Sequence, residues 1–189
     1  MFNKAKNWIS DNPDLSFAIL LSICVYAYFG LTNELFPTHR TGFAIMERFA
    51  VLGLVGLALT LCIIAGEIDL SIGSNAALAA VITVRFTDSL GAPSALLIAL
   101  LVSTSIGAIQ GYFIAYLRVR AIVLTVGTLM LLRGVALFAA EEKTVMLTDF
   151  RVPDFISTKM LWYFSPASLL VILMFVIVGL FMGYTRFGR

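Results

Sequence analysis

Charge is what this sequence has least of: only 13% of its 189 residues are Asp, Glu, Lys or Arg, against about a quarter in an ordinary soluble domain. Histidine occurs once, as His39 beside Arg40 in a polar stretch after Pro37. A histidine-based metal site or a Ser-His-Asp triad therefore lacks its parts, and His39 is expected in a loop. The two cysteines, Cys24 and Cys62, both fall inside apolar runs, with neither a redox motif nor metal-ligand spacing. No metal or cofactor is expected on this chain. A net charge of +2, without Lys/Arg runs interleaved with aromatics, sets nucleic acid aside as a partner. No Gly-x-x-x-x-Gly-Lys sequence offers a phosphate loop, so ATP chemistry is not expected here.

What is abundant is apolar surface. The chain is 60% hydrophobic with a mean hydropathy of +0.99. A domain of this size has too little interior to hide so much, so its solvent is lipid. Lys4 and Lys6 precede the run Leu15 to Leu31, but no small-x-small cleavage site follows it, and it reads as an uncleaved first span. A span needs about 20 apolar residues to cross a hydrocarbon core of about 30 Å. Charges delimit Leu15 to Asn33, Phe49 to Gly66, Leu70 to Val84, Ser89 to Leu117 and Met160 to Thr185, and Ala121 to Ala140 is interrupted once, by Arg133. The sequence thus predicts an all-α polytopic transmembrane bundle of about six spans, residues 1–189 forming one membrane domain.

With the N-terminus inside, six Lys or Arg fall on each side when Arg133 is set apart. Position breaks the tie. Arg118 and Arg120 occupy a three-residue turn and Arg186 and Arg189 directly follow the last span, whereas the opposite side mixes Glu141, Glu142, Asp149 and Asp154 with its cations. Both termini are therefore expected in the cytoplasm. The fourth span carries small residues every four positions, from Ala95 and Ala99 through Ser103, Gly107 and Gly111 to Ala115. In lipid such a face lets helices approach closely, so Ser103, Gly107 and Gly111 are expected to serve packing. Gln110, next to that face, can hydrogen-bond within the bundle.

The second and third spans are joined by Ala65-Gly66-Glu67-Ile68-Asp69-Leu70-Ser71-Ile72-Gly73-Ser74-Asn75, which has two acids and almost no room for a loop. Gly66 can take the left-handed conformation that ends a helix, and Asp69 can cap the next by accepting bonds from amides near Ser71 and Ile72. The third span, ending before Arg85, has 15 uncharged residues and reaches about 22 Å. Either Arg85 snorkels at its far end or the elbow dips below the membrane surface into protein or a cavity. Ser71, Ser74 and Asn75 would then occupy the first turn of a helix beginning at depth, the device by which transporters build polar sites in lipid. The plainer alternative is that Asp69 only caps a helix and Glu67 only faces headgroups. Arg133, about a dozen residues into the fifth span, poses the same choice between a structural ion pair or snorkel and a role in solute passage.

Gly66-Glu67-Ile68-Asp69-Leu70-Ser71-Ile72-Gly73-Ser74 closely resembles the signature of permease subunits in ribose- and xylose-type sugar ABC importers, within the branched-chain amino acid/sugar permease family. Ile122-Val123-Leu124-Thr125-Val126-Gly127-Thr128, followed by Arg133-Gly134, resembles that family's second marker, and Thr185-Arg186-Phe187-Gly188-Arg189 is similar to its motif at the cytoplasmic end of a middle helix. Glu67 departs from the pattern, standing where many members have a second glycine. Arg120-Ala121 replaces a proline-containing start of the fifth span. Such permeases have about ten spans, so this chain resembles the N-terminal part of one, incomplete at its C-terminus.

The resemblance implies a multi-pass permease of the bacterial inner membrane, working as a dimer with a second copy or a paralogue. It would be supplied by a periplasmic solute-binding protein and driven by cytoplasmic ATP-binding subunits that hydrolyse ATP on its behalf. Glu67, Asp69, Ser71, Ser74, Asn75, Thr125, Thr128 and Arg133 become candidates for the solute path or its hinge. The solute class is a sugar or a similar small polar molecule. Two rivals use the same residues: a secondary transporter or channel relaying ions through Glu67, Asp69 and Arg133, or a structural subunit held by the small-residue seam of the fourth span.

Overall fold

Long aliphatic runs with prolines confined to their first turns favour helices, because proline at the first helical position costs no hydrogen bond that the helix needs. A computed structural model describes residues 12–141, 151–160 and 163–185, and every regular element among them is helical. In chain order these are α1 (Pro13–Thr32), α2 (His39–Ile64), α3 (Ile72–Leu90), α4 (Ala92–Ala115), α5 (Ala121–Ala139), α6 (Arg151–Ile156) and α7 (Pro166–Tyr184). Pro13, Pro93 and Pro166 all fall in first turns. α7 adds a reciprocal cap in which the Ser165 and Ser168 side chains each accept from the other's backbone N–H.

Five helices, α1, α2, α4, α5 and α7, are long and apolar enough to cross a membrane. α3 has the length, at 19 residues, but carries Arg85 and Asp88. With it, the all-α bundle of about six spans stands. The surface agrees with a lipid solvent: α1 has no buried residue, and large side chains such as Leu31 and Phe138 are almost fully exposed, at 89% and 86%.

Three boundaries differ from the sequence expectation for one reason: charges mark where a chain meets water, not where a helix stops. α2 begins at His39 rather than Phe49 and carries Glu47 and Arg48 within it, so His39 opens a helix instead of lying in a loop. α3 runs through Arg85 to Leu90, so its reach is roughly 28 Å and the expected shortfall disappears. With it goes the argument that a short third span draws the elbow below the surface. α7 starts at Pro166, six residues later than Met160, where the Ser165 cap fixes it. Lys4, Lys6, Glu142, Lys143, Asp149 and residues 186–189 lie outside the described residues.

The chain divides into two compact units, one ending at Ile45 and the other beginning at Met46. In the first, Phe36 of the α1–α2 connection packs on Tyr26 and Phe29 of α1, with ring centroids 5.2 and 5.5 Å apart. In the second, α3 is the central helix, lying against both α4 and α5. Gly91, at φ +80, is at once the last cap of α3 and the first of α4, which folds the two into an antiparallel hairpin with a single-residue joint. α5 runs parallel to α3. Leu78, Leu132 and Ala136 form their shared core, with Val81, Ile82 and Ile106 packed on it. Elsewhere in this unit Phe49 stacks on Phe175, and a Cβ added at Gly53 would approach Val171 to 3.2 Å, so α2 and α7 meet closely.

Candidate functional site

The elbow between α2 and α3 is built from the backbone up. Gly66 adopts φ +83, where only glycine is unstrained. Its N–H donates to the Ile63 carbonyl at 2.9 Å, and the Glu67 N–H donates to Cys62 at 3.0 Å, the paired bonds that finish a helix on a left-handed residue. The chain then extends for a few residues before Asp69 turns it. Asp69 Oδ1 accepts both the Ser71 N–H, at 2.8 Å, and the Ser71 hydroxyl, at 2.7 Å. This is an aspartate turn rather than a cap on the helix proper: Ser71 holds the cap position, and the amide that Asp69 satisfies is that of Ser71 alone.

From Ser71 the network leaves the elbow. Gln110 Nε2 of α4 donates to Ser71 Oγ at 2.9 Å, so the serine hydroxyl receives one bond and gives another in a directed chain from Gln110 to Ser71 to Asp69. On the other side Thr125 of α5 donates, at 3.4 Å, to the Ile68 carbonyl. Ser71 and Thr125 are each 1% exposed and Gln110 7%. Three separate segments thus converge on one cluster: the elbow, the last third of α4 and the second turn of α5. Sequence reasoning passed over the weight of Gln110 and of the Ile68 carbonyl. The signal for the first was an uncharged amide in an otherwise apolar helix; a backbone acceptor gives none.

The remaining candidates lie in three places. Glu67 is exposed and lines a cavity of ≈ 580 Å³ together with Arg118 and Arg120 of the α4–α5 turn. There Arg118 is held at φ +54, and the Val119 N–H closes the turn on Phe113. Asn75 reaches α4, donating from Nδ2 to the Ser103 carbonyl at 3.3 Å, while Asn75 Oδ1 and Ser103 Oγ are buried without partners. Thr128 bonds only within its own helix, to Leu124. Ser74 and Arg133 share a second cavity of ≈ 460 Å³ between α3 and α5, on a different side of α3 from Asn75. The expected small-residue seam of α4 is occupied over one half only. Ala95 and Ala99 are buried and Ser103 half-buried, whereas Gly107 and Gly111 are exposed and a Cβ at either would meet nothing within 4 Å.

Chemically this is a positioning device. Hydrogen bonds at the elbow fix the angle between α2 and α3 and the register of α3 against α4 and α5. Residues 70–84 and 121–132 contain no titratable side chain, so neither helix offers a proton carrier between Asp69 and Arg133. Among the described residues no group of three or more His, Cys, Asp or Glu is placed to hold a metal.

Comparison with known proteins places this geometry. The family described as branched-chain amino acid transport system / permease component matches residues 42–189, which include the elbow, the Thr125 region and both cavities. The autoinducer 2 import system permease protein LsrC of Yersinia enterocolitica is 30% identical over 191 residues, covering 100% of this chain and 52% of that protein. The LsrC proteins of Yersinia pestis and Yersinia pseudotuberculosis are 30% identical over 175 residues, covering 91% of this chain and 49% of theirs. The chain spans about half the length of the curated relatives it matches. No solved structure matches it. With more than half of its length matched, and with the elbow motif folded into a hydrogen-bonded joint, the chain belongs to the branched-chain amino acid transport system permease family.

Proposed function

We propose that this chain supplies transmembrane helices to the permease of an ATP-driven importer, and that the Glu67–Asn75 elbow is a joint bordering the path of a small polar solute. A sugar, or the autoinducer 2 named for its relatives, fits that class. ATP hydrolysis resides on separate cytoplasmic subunits, a periplasmic binding protein delivers the solute, and a second permease copy or paralogue completes the path. The N-terminus faces the cytoplasm of a bacterial cell, which puts the elbow and the Arg118–Arg120 turn on the side where the ATP-binding subunits act.

The observation that carries this reading is the Gln110–Ser71–Asp69 chain, which couples the elbow to a distant helix inside the segment matched by the permease family. Closure of the ATP-binding subunits would bias such a joint between two arrangements of its helices by making different contacts in each. A proton- or ion-coupled carrier is less well supported, because α3 and α5 lack titratable groups between Asp69 and Arg133. Uptake into vesicles reconstituted with the complete transporter tests the proposal: it should require ATP inside the compartment representing the cytoplasm and binding protein outside. Uptake driven by a proton gradient without ATP overturns it.

A further inference from the structure

The larger cavity, of ≈ 580 Å³, lies where the elbow faces the α4–α5 turn, and its lining is amphipathic. Its charges are Glu67, Arg118 and Arg120, all exposed, and among the described residues none of the three side chains makes an ion pair or a hydrogen bond. Ile68, Ile114 and Ile122 supply apolar wall beside them. Glu67 takes no part in the Gln110–Ser71–Asp69 chain, so the joint leaves this carboxylate without a task. Depth is marked by the neighbours. Tyr112 and Tyr116, at the end of α4 just before Arg118, are exposed, with ring centroids 5.2 Å apart. Exposed tyrosines beside arginines at the end of a span belong to the belt where hydrocarbon meets headgroups. The turn that presents Arg118 is closed by the Val119 N–H bond to the Phe113 carbonyl at 3.2 Å, so both arginines start from a defined backbone.

We infer that this cavity seats the headgroup of one phospholipid, with its phosphate against Arg118 and Arg120 and an ethanolamine ammonium against Glu67. The lining chooses among anions. Free inorganic phosphate gains nothing from isoleucine walls, whereas the glycerol and first acyl carbons of a lipid bury apolar surface against them. An acidic protein segment would meet the same arginines but also the Glu67 carboxylate, which repels it. A zwitterionic headgroup answers both signs at once, and guanidinium groups suit phosphate oxygens through their paired N–H donors. Phosphatidylglycerol brings the phosphate without a cation for Glu67, so the ethanolamine lipid is the better match. Held there, the lipid bridges the elbow to the α4–α5 turn.

The test reads lipid contact, not transport, so it is independent of the importer reading. The complete native complex containing this chain is held in maltoside detergent, which carries no phosphate. Phosphatidylethanolamine or phosphatidylglycerol, each with the same diazirine on an acyl chain near the glycerol, is added, irradiated, and its adducts located by peptide mass spectrometry. Adducts are expected within residues 114–123, in higher yield with the ethanolamine lipid. Arg118→Asn, which tolerates the φ of +54, and Arg120→Gln, at an extended backbone position, should each lower that yield roughly fivefold. Glu67→Gln should bring the two lipids' yields together. Arg48→Gln, near the opposite end of α2, should change neither. Yields indifferent to both arginines, or falling as far with Arg48→Gln, overturn the inference. So do displacement by inorganic phosphate at constant ionic strength, a preference for the glycerol lipid in the parent, and the absence of adducts from residues 114–123.

Discussion

At its elbow end α3 is held by buried, mostly uncharged donors and acceptors, Gln110 to Ser71 to Asp69 and Thr125 to Ile68. At its far end it is held by Arg85, which donates from Nε to the Ala139 carbonyl at 3.1 Å and pairs with the Glu141 carboxylate, both side chains about half exposed. The two ends do the same mechanical job with opposite physics. Water or headgroups compete for every contact of the ion pair, so its net contribution is small and salt-dependent. At the elbow Ser71, Thr125 and Gln110 are buried, so losing the Gln110–Ser71 bond leaves a buried group unsatisfied, and water reaches the part-buried bonds of Asp69 and Ile68 only from one side. A joint that must adopt a defined geometry in each state of a transport cycle belongs at the first kind of end; the second needs only to keep two helices adjacent.

The largest effect expected from this difference is that of Ser71→Val. It removes the acceptor for Gln110 and the hydroxyl bond to Asp69 while leaving the Ser71 N–H bond to Asp69 in place, and should cost about 2–3 kcal/mol in reversible unfolding from mixed micelles. A cost under about 0.5 kcal/mol would erase the distinction between the two ends. Asp69→Ala follows, at about 1–2 kcal/mol, and Asp69→Asn should recover most of it because the amide oxygen still accepts from Ser71. Uptake discriminates more sharply than stability does: Asp69→Ala is expected to insert and assemble yet transport poorly. A variant that inserts, assembles and transports normally would reduce Asp69 to a dispensable turn residue.

Much of the elbow was legible in the sequence because its determinants are local. Gly66 announces a left-handed helix end, and an aspartate just before a helix announces a side-chain acceptor for the amides that follow, although the bond it makes closes a turn at Ser71 and does not cap the helix. The partner across 39 residues was not legible. Gln110 is identifiable as polar in an apolar helix, but which neighbour it faces depends on the α3–α4 hairpin, and that follows from Gly91 acting as a one-residue joint rather than the polar loop expected around Arg85 to Asp88. The same misplacement made α3 look short. Reading Arg85 as a terminus concealed that its side chain lies one turn inside the helix and reaches the end of α5. The seam of α4 failed differently: its spacing was visible, but whether Gly107 and Gly111 meet a helix depends on chains that composition does not specify.

The smallest expected effect belongs to that far end. Arg85→Leu removes an exposed ion pair and one bond to a helix-terminal carbonyl, and should cost no more than about 1 kcal/mol. Most of that loss should vanish when the unfolding of the parent and the variant is compared at 1 M salt, where the screening length falls to about 3 Å. Glu141→Gln isolates the charge, since it keeps the side chain's shape and leaves the Arg85 bond to Ala139 in place. If it matches Arg85→Leu in size, the Coulomb contact accounts for the fastening. If it costs nothing while Arg85→Leu still does, the carbonyl bond accounts for it, and both ends of α3 are then fastened by hydrogen bonds, differing only in how far water can reach them.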